Sequence, residues 1–204
     1  MFGAPKHLSL RAQWLSLRAR FSIPSLIAAA DERKAVSVVT AVNGGLAILA
    51  ISLCAWITDL PLLFPALGPS AFILFAKPFS PDAAPRSVIV GHFAGMGSGL
   101  AVWHLVGLAC GSPVSLSTGG WPTVVSASLA LALACLLLVR LSAPHAPACA
   151  TALIIAVGGV TGWLGLLAMA IGVVMMTLQA VCVNRIAGLN MPIWSPRRDD
   201  IVQP

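Results

Sequence analysis

Long uninterrupted runs of apolar residues recur along the chain between short polar segments. Continuous runs rich in Ala, Leu and Gly are typical of membrane helices, whereas the strands of membrane barrels alternate apolar and polar residues. The pattern predicts long spans at 35–56, 87–108 and 121–141. At about 1.5 Å per residue the first reaches roughly 33 Å, which is enough for a hydrocarbon core about 30 Å thick.

Two further apolar stretches do not fit one straight helix each. Segment 60–76 is short and has prolines at its start, so it either crosses as a broken helix or re-enters on one side. Segment 148–184 is too long for one crossing, and its Gly-rich stretch 158–163 predicts a turn between a fifth and a sixth span. We therefore expect an all-α polytopic membrane protein with about six transmembrane helices, some short or proline-broken; four or five crossings are the alternative.

Composition supports a membrane location and excludes a soluble domain. Of the 204 residues 58% are hydrophobic and only 9% are charged, and the mean hydropathy is +0.95. Soluble domains carry about 25% charged residues. The lipid bilayer is thus the expected partner, and the net charge of +6 is too scattered along the chain ends and loops to form a nucleic-acid-binding face.

The pattern divides the chain into a basic N-terminal segment (1–34), a transmembrane domain (35–186) and a C-terminal tail (187–204). The N-terminal segment carries apolar residues at helical spacing, which suits a basic amphipathic helix on the membrane surface; a disordered basic tail is equally compatible. These apolar residues are Leu10, Trp14, Leu17 and Phe21.

Charge asymmetry favours six crossings with both termini in the cytoplasm. With that count every Lys and Arg falls on one side, as the positive-inside rule prefers. Beyond the N-terminal segment these residues are Lys77, Arg86, Arg140, Arg185, Arg197 and Arg198, and the opposite side receives Trp56, Trp103, Trp121 and Trp163. We expect a bacterial inner-membrane protein.

Six spans split into two groups of three that enter the membrane in opposite directions. Each group contains a long span, a proline-broken start (64–75 and 145–155) and another span. This order is compatible with a 3+3 inverted repeat, in which interrupted helices meet near the bilayer midplane around a substrate. On the third span Gly91, Gly95 and Gly99 lie at four-residue spacing, which predicts close packing of another backbone.

His145 is the strongest candidate for a binding role. It lies between Pro144 and Pro147, and a helix should begin near Pro147 because proline is tolerated in the first turn. Free amide protons at that helix start, with Thr151 one turn further on, would suit an anion. A plain capping role for His145 explains the same pattern.

Other candidates for substrate binding are His92, which would lie within the hydrocarbon, and Arg86, whose planar guanidinium suits an oxyanion. Gly68, Pro69 and Ser70 could present a hydroxyl and backbone amides at the first proline-broken start. Each has a structural alternative: a helix-to-helix hydrogen bond, a topology marker or a helix cap. We find no catalytic signature, and no histidine or cysteine spacing that predicts a metal site or another cofactor.

Two segments resemble the HPP family of integral membrane proteins, named for a His-Pro-Pro motif. They are LGPSAFILFAKPFSPDAAPRSVIVGH (67–92) and PHAPACATAL (144–153). Ala146 stands in place of the middle proline, and Ser87 follows Pro85-Arg86 where the family often has Asn. The resemblance implies a membrane protein. Plastid and cyanobacterial members of the HPP family act in nitrite transport.

The sequence and this resemblance together predict a transporter or channel for a small inorganic anion, nitrite-like, that needs no cofactor and forms a homo-oligomer. Two alternatives come from other functional classes. One is a membrane-embedded metal or redox enzyme that uses His92, His145 and Cys149. The other is a scaffold or sensor that does not transport and uses its basic N-terminal segment as a contact surface.

Overall fold

The computed structural model describes residues 32–117 and 119–195, and within them all regular structure is helical. The predictions for segment 1–31 and for the tail beyond 195 lie outside the described residues. The six helices confirm an all-α polytopic membrane protein. They are α1 (Glu32–Thr58), α2 (Leu67–Ala76), α3 (Pro85–Cys110), α4 (Trp121–Arg140), α5 (Pro147–Ala156) and α6 (Trp163–Ile186).

Four of these helices, α1, α3, α4 and α6, are long and apolar enough to cross a membrane. Helices α2 and α5 have only 10 residues each, so each is about 15 Å long and reaches roughly half-way across. Large apolar side chains on the outer faces of α1 and α4 are exposed, among them Val42, Leu53, Val124 and Val139. These faces contact the hydrocarbon of the bilayer.

Prolines and a glycine set the limits of the two short helices. The chain from Leu60 to Pro65 is not helical and contains Pro61 and Pro65, which cannot donate backbone hydrogen bonds. Pro147 occupies the first turn of α5, where the missing amide proton costs nothing. Gly158 turns the chain after α5 with φ of +79°, a conformation that favours glycine.

Helix α5 runs parallel to α3, from the middle of the bundle towards the end where α3 stops. The three glycines of α3 face it in order: a Cβ at Gly91 would lie 3.1 Å from the Cβ of His145, and a Cβ at Gly99 would lie 2.6 Å from the carbonyl oxygen of Ala152. A Cβ at Gly95 would overlap the carbonyl oxygen of Ala148. The predicted glycine seam is therefore confirmed.

Helix α2 runs in the opposite direction to α5. Its start lies beside the middle of α6, where a Cβ at Gly172 would meet the carbonyl of Leu62. Its last turn lies beside the end of α6, where Asn184 Nδ2 donates to the carbonyl of Leu74 at 3.0 Å. The segment after α6 returns to the start of α3, because the Arg86 amide donates to the carbonyl of Trp194 at 2.9 Å.

These contacts give the order long helix, half-helix, long helix twice, in opposite directions. Each half-helix continues a non-helical segment that enters the bundle from one end, so each such segment and its half-helix together carry the chain across. The described chain traverses the bundle six times. This is the arrangement that the inverted-repeat interpretation predicts.

Charge is segregated along the bundle axis. We call the end where α3 begins and α6 stops the arginine end, and the opposite end the tryptophan end. The six basic residues of the described chain lie at the arginine end: Arg33, Lys34, Lys77, Arg86, Arg140 and Arg185. The tryptophan end carries Trp56, Trp103, Trp121 and Trp163.

Replacing Gly95 by alanine should destabilise the fold, because the new methyl group would overlap the Ala148 carbonyl. We expect Gly95→Ala to lower the free energy of unfolding by about 1–3 kcal/mol, as overpacking does. Gly97→Ala is the matched control, since a Cβ there meets nothing within 4 Å. Thermal unfolding in detergent measures both, and equal unfolding temperatures for the two variants would contradict the packing described.

Candidate functional site

Four polar side chains from both halves of the chain meet inside the bundle, and none is exposed. Ser70 lies in the first turn of α2, and its Oγ is 3.1 Å from His92 Nε2 on α3 and 2.9 Å from His145 Nε2. The other ring nitrogens are also bonded: His92 Nδ1 lies 2.8 Å from Thr151 Oγ1 on α5, and His145 Nδ1 lies 2.8 Å from the carbonyl of Asp82. We call Ser70, His92, His145 and Thr151 the polar cluster.

The carbonyl of Asp82 fixes the direction of these hydrogen bonds. A carbonyl only accepts, so His145 Nδ1 donates to it, and Nε2 of a neutral His145 is then an acceptor. Ser70 therefore donates to His145 and accepts from His92 Nε2–H. His92 Nδ1 in turn accepts from the Thr151 hydroxyl. The cluster is one continuous chain of donors and acceptors.

Apolar groups close around the cluster. The ring of Phe64 meets that of His92 edge to face, with centroids 6.1 Å apart, and Gly91 brings the backbone of α3 against His145. The rings of the two histidines are 5.0 Å apart. The inverted-repeat interpretation expects the proline-broken starts to meet around a substrate. In this conformation they meet each other directly, through the Ser70–His145 hydrogen bond.

The amide protons of both helix starts are already used. In α2 the amides of Leu67 and Gly68 donate to the carbonyls of Phe64 and Pro65 at 3.1 and 3.3 Å. In α5 the amides of Ala148 and Cys149 donate to carbonyls of the preceding turn, both at 3.0 Å. The expected unpaired amide protons are therefore occupied by local turns, and the side chains carry the polar chemistry of the site.

Several predicted site residues lie away from the cluster. Gly68 and Pro69 are exposed on another face of α2. Pro147 is buried and starts α5 but offers no hydrogen-bond donor. The Arg86 guanidinium donates to the carbonyls of Leu141 and Ser142 at 2.9 and 2.8 Å, so it caps the end of α4 rather than facing the cluster.

Two contributors to the site were missed in the sequence. Phe64 covers one imidazole, and the backbone of Asp82 holds the other. Both lie in or beside the segment 67–92, which the family resemblance marked as a unit, but the resemblance gave no partner for either residue. Asn184 was missed as well: it is buried, and it joins the end of α2 to α6.

The metal or redox alternative concerns the side chains of His92, His145 and Cys149. Among the described residues no group of three or more His, Cys, Asp or Glu side chains is placed to hold a metal ion. The sulfur of Cys149 lies 3.9 Å from that of Cys135 on α4. Cys149 therefore contacts a cysteine of α4, whereas that alternative groups it with His92 and His145.

A groove of about 360 Å³ runs between the two half-helices on their apolar side. It is lined by Pro65, Ala66, Ala150, Leu153, Ile154 and Val157. The carbonyl of Ala66 also lies 3.0 Å from the Ser70 hydroxyl. Ala66, which lines the groove, thus also contacts the polar cluster.

Removing the Ser70 hydroxyl should destabilise the protein, because the facing nitrogens of His92 and His145 would both lose their partner. An unsatisfied buried polar group costs about 1–3 kcal/mol. Ser98→Ala is the control, since the buried Ser98 hydroxyl bonds only the Ala94 carbonyl of its own helix. We expect Ser70→Ala to unfold at a clearly lower temperature than Ser98→Ala; the reverse order would show that the cluster does not hold the half-helices.

Ala146, which stands in place of the middle proline of the His-Pro-Pro motif, leaves the site intact. Ala146 is exposed and has φ of −53°, which lies within the range that proline itself adopts. The backbone at 146 is thus the one a proline would impose.

Comparison with known proteins agrees with the resemblance seen in the sequence. The family model described as HPP, transmembrane region, matches residues 30–192, which cover all six helices. No match is found among curated proteins or among solved structures. Because the match extends over most of the chain and contains the whole polar cluster, the protein belongs to the HPP family of integral membrane proteins.

Proposed function

We propose that this protein carries a small inorganic anion across the membrane, with nitrite as the first candidate. The observation that supports this most is the meeting of two oppositely directed half-helices at a buried polar cluster. Interrupted helices that meet near the midplane form the substrate sites of many secondary transporters. Nitrite is the first candidate because the sequence resemblance implied nitrite transport by members of the family.

The composition of the cluster favours a functional role over a purely structural one. Ionisable residues within a membrane are rare because burying them is costly, and they commonly mark solute or proton pathways. Here two histidines, a serine and a threonine lie together and are all buried. A single hydrogen bond between two helices would be enough to join them, whereas this cluster links α2, α3, α5 and the loop that contains Asp82.

The donors of the cluster suit a small oxyanion. Imidazole N–H groups and hydroxyl groups can donate to anion oxygens without placing a permanent charge in the membrane. The described conformation is closed, so passage requires the Ser70–His145 hydrogen bond to break and the half-helices to separate. The groove between the half-helices, which Ala66 helps to line, is a route by which solute would then enter.

The arginine end favours anions and indicates an orientation. Its cluster of cations raises the local concentration of anions at the mouth of the bundle. By the positive-inside rule this end would face the cytoplasm, which agrees with the expected inner-membrane location and cytoplasmic termini. The orientation and the compartment form part of the proposal.

Uptake of nitrite into liposomes that contain the purified protein tests the function. We expect protein-dependent uptake, and at least a tenfold loss of rate in His145→Ala, because the cluster would lose one of the two imidazoles that can donate to the anion. Protein-free liposomes give the background, which matters because nitrous acid crosses bilayers unaided.

His104→Ala is the matched control for that variant, since His104 is exposed beside Trp103 and lies outside the cluster. It should keep the wild-type rate. If the folded wild-type protein moves no nitrite, nitrate, bicarbonate or chloride above background, the transport function is wrong. If both histidine variants lose the same activity, the site is wrong.

A further inference from the structure

The polar cluster has one more hydrogen-bonding contact than it has hydrogens to donate when both histidines are neutral. Five contacts are in place: His145 to the Asp82 carbonyl, Ser70 to each histidine, Thr151 to His92, and Ser70 to the Ala66 carbonyl. The two neutral imidazoles and two hydroxyls offer four hydrogens. One of the five contacts must therefore lack a hydrogen.

The contact that lacks a hydrogen is the one between the Ser70 hydroxyl and the Ala66 carbonyl. His145 uses its single N–H for the Asp82 carbonyl, so the Ser70 hydroxyl has to donate to His145 Nε2. The Ala66 carbonyl then receives nothing from Ser70, although the two oxygens are 3.0 Å apart. The heavy atoms are already placed for a fifth hydrogen.

We propose that the polar cluster takes up one proton, at His145 Nε2, and that this proton travels with the anion. With both nitrogens of His145 protonated, the Ser70 hydroxyl turns to the Ala66 carbonyl and every one of the five contacts is satisfied without movement of a heavy atom. This inference rests on the proposed anion transport and names its coupling ion.

The same step prepares the cluster for an anion. The Nε2–H groups of His92 and His145 then both point at one position, which Ser70 Oγ occupies in the closed conformation. An anion oxygen that replaced Ser70 Oγ there would accept from two N–H groups at once. The positive charge of the protonated His145 would offset the negative charge of the anion, so the pair would cross with no net charge.

Other ionisable groups near His145 do not supply that charge. The charged or titratable groups on the elements around it are Lys77, Asp82, Arg86, His92, His104, Cys110, Cys135, Arg140 and Cys149. Arg86 is bonded to the end of α4, and Cys149 lies against Cys135. Of these residues, only His92 and Asp82 join the hydrogen-bond chain, and Asp82 does so through its backbone carbonyl. The half-buried Asp82 links the chain to the loop at the arginine end.

The experiment measures nitrite uptake into liposomes at two membrane potentials, set by potassium gradients and valinomycin, after subtraction of protein-free liposomes. One-to-one coupling predicts the same rate and the same final accumulation with and without an inside-negative potential. Passage of the anion alone predicts accumulation about 50-fold lower at 100 mV. A second readout is the proton uptake of the detergent-solubilised protein on addition of nitrite in weak buffer, for which we expect about one proton per chain.

His145→Asn should abolish the proton uptake, because asparagine keeps a donor for the Asp82 carbonyl and lacks Nε2. His104→Asn should retain it. Nitrite uptake that depends on potential, with no protons taken up, overturns the coupling and leaves anion transport standing. Absence of any uptake by the folded wild-type protein overturns both. If His145→Asn fails to fold, the two wild-type readouts decide the matter by themselves.

Discussion

The hydrogen bond between Ser70 and His145 joins two helices that each cross only half of the membrane. Residues 75 apart in the chain meet there at 2.9 Å. A half-helix leaves its start inside the hydrocarbon, where backbone groups cannot bond to water. In this protein local turns satisfy the first amides of both half-helices, and the side chains of the polar cluster satisfy one another.

The backbone around this bond is shaped by residues without hydrogen-bonding side chains. Pro61 and Pro65 keep the chain before α2 out of helical form, and Pro147 starts α5 at the opposite depth. Gly95 and Gly99 let the carbonyls of α5 approach α3 more closely than any side chain would allow. This close approach brings His92 on α3 within reach of Thr151 on α5. The glycine seam thus allows both the close packing of α5 on α3 and the hydrogen bond between His92 and Thr151.

Much of the fold could be predicted from local features of the sequence. The start of α5 at Pro147, the turn after it and the glycine seam follow from properties of single residues, and the structure has all three. The six apolar segments were found from their length, although α2 proved shorter than segment 60–76 because the prolines delay its start to Leu67. The segregation of basic and tryptophan residues to opposite ends also follows from counting crossings.

The site could be predicted only in part, since it depends on distances across the fold. Local spacing identified His92, His145, Ser70 and Thr151 as separate candidates but gave no reason for Ser70 to contact both histidines. The partners of Arg86 are backbone carbonyls that no sequence pattern marks. The cluster is closed by the ring of Phe64, which meets His92 on α3, so this contact also depends on the packing of separate segments.

Ser70 and His145 hold the two half-helices together, and a double-mutant cycle measures the energy of that contact. The free energy of unfolding in detergent would be measured for the wild type, for Ser70→Ala, for His145→Asn and for the double variant. We expect a coupling energy of about 0.6 kcal/mol or more, the size found for hydrogen bonds between membrane helices. Strictly additive effects of the two substitutions would contradict it.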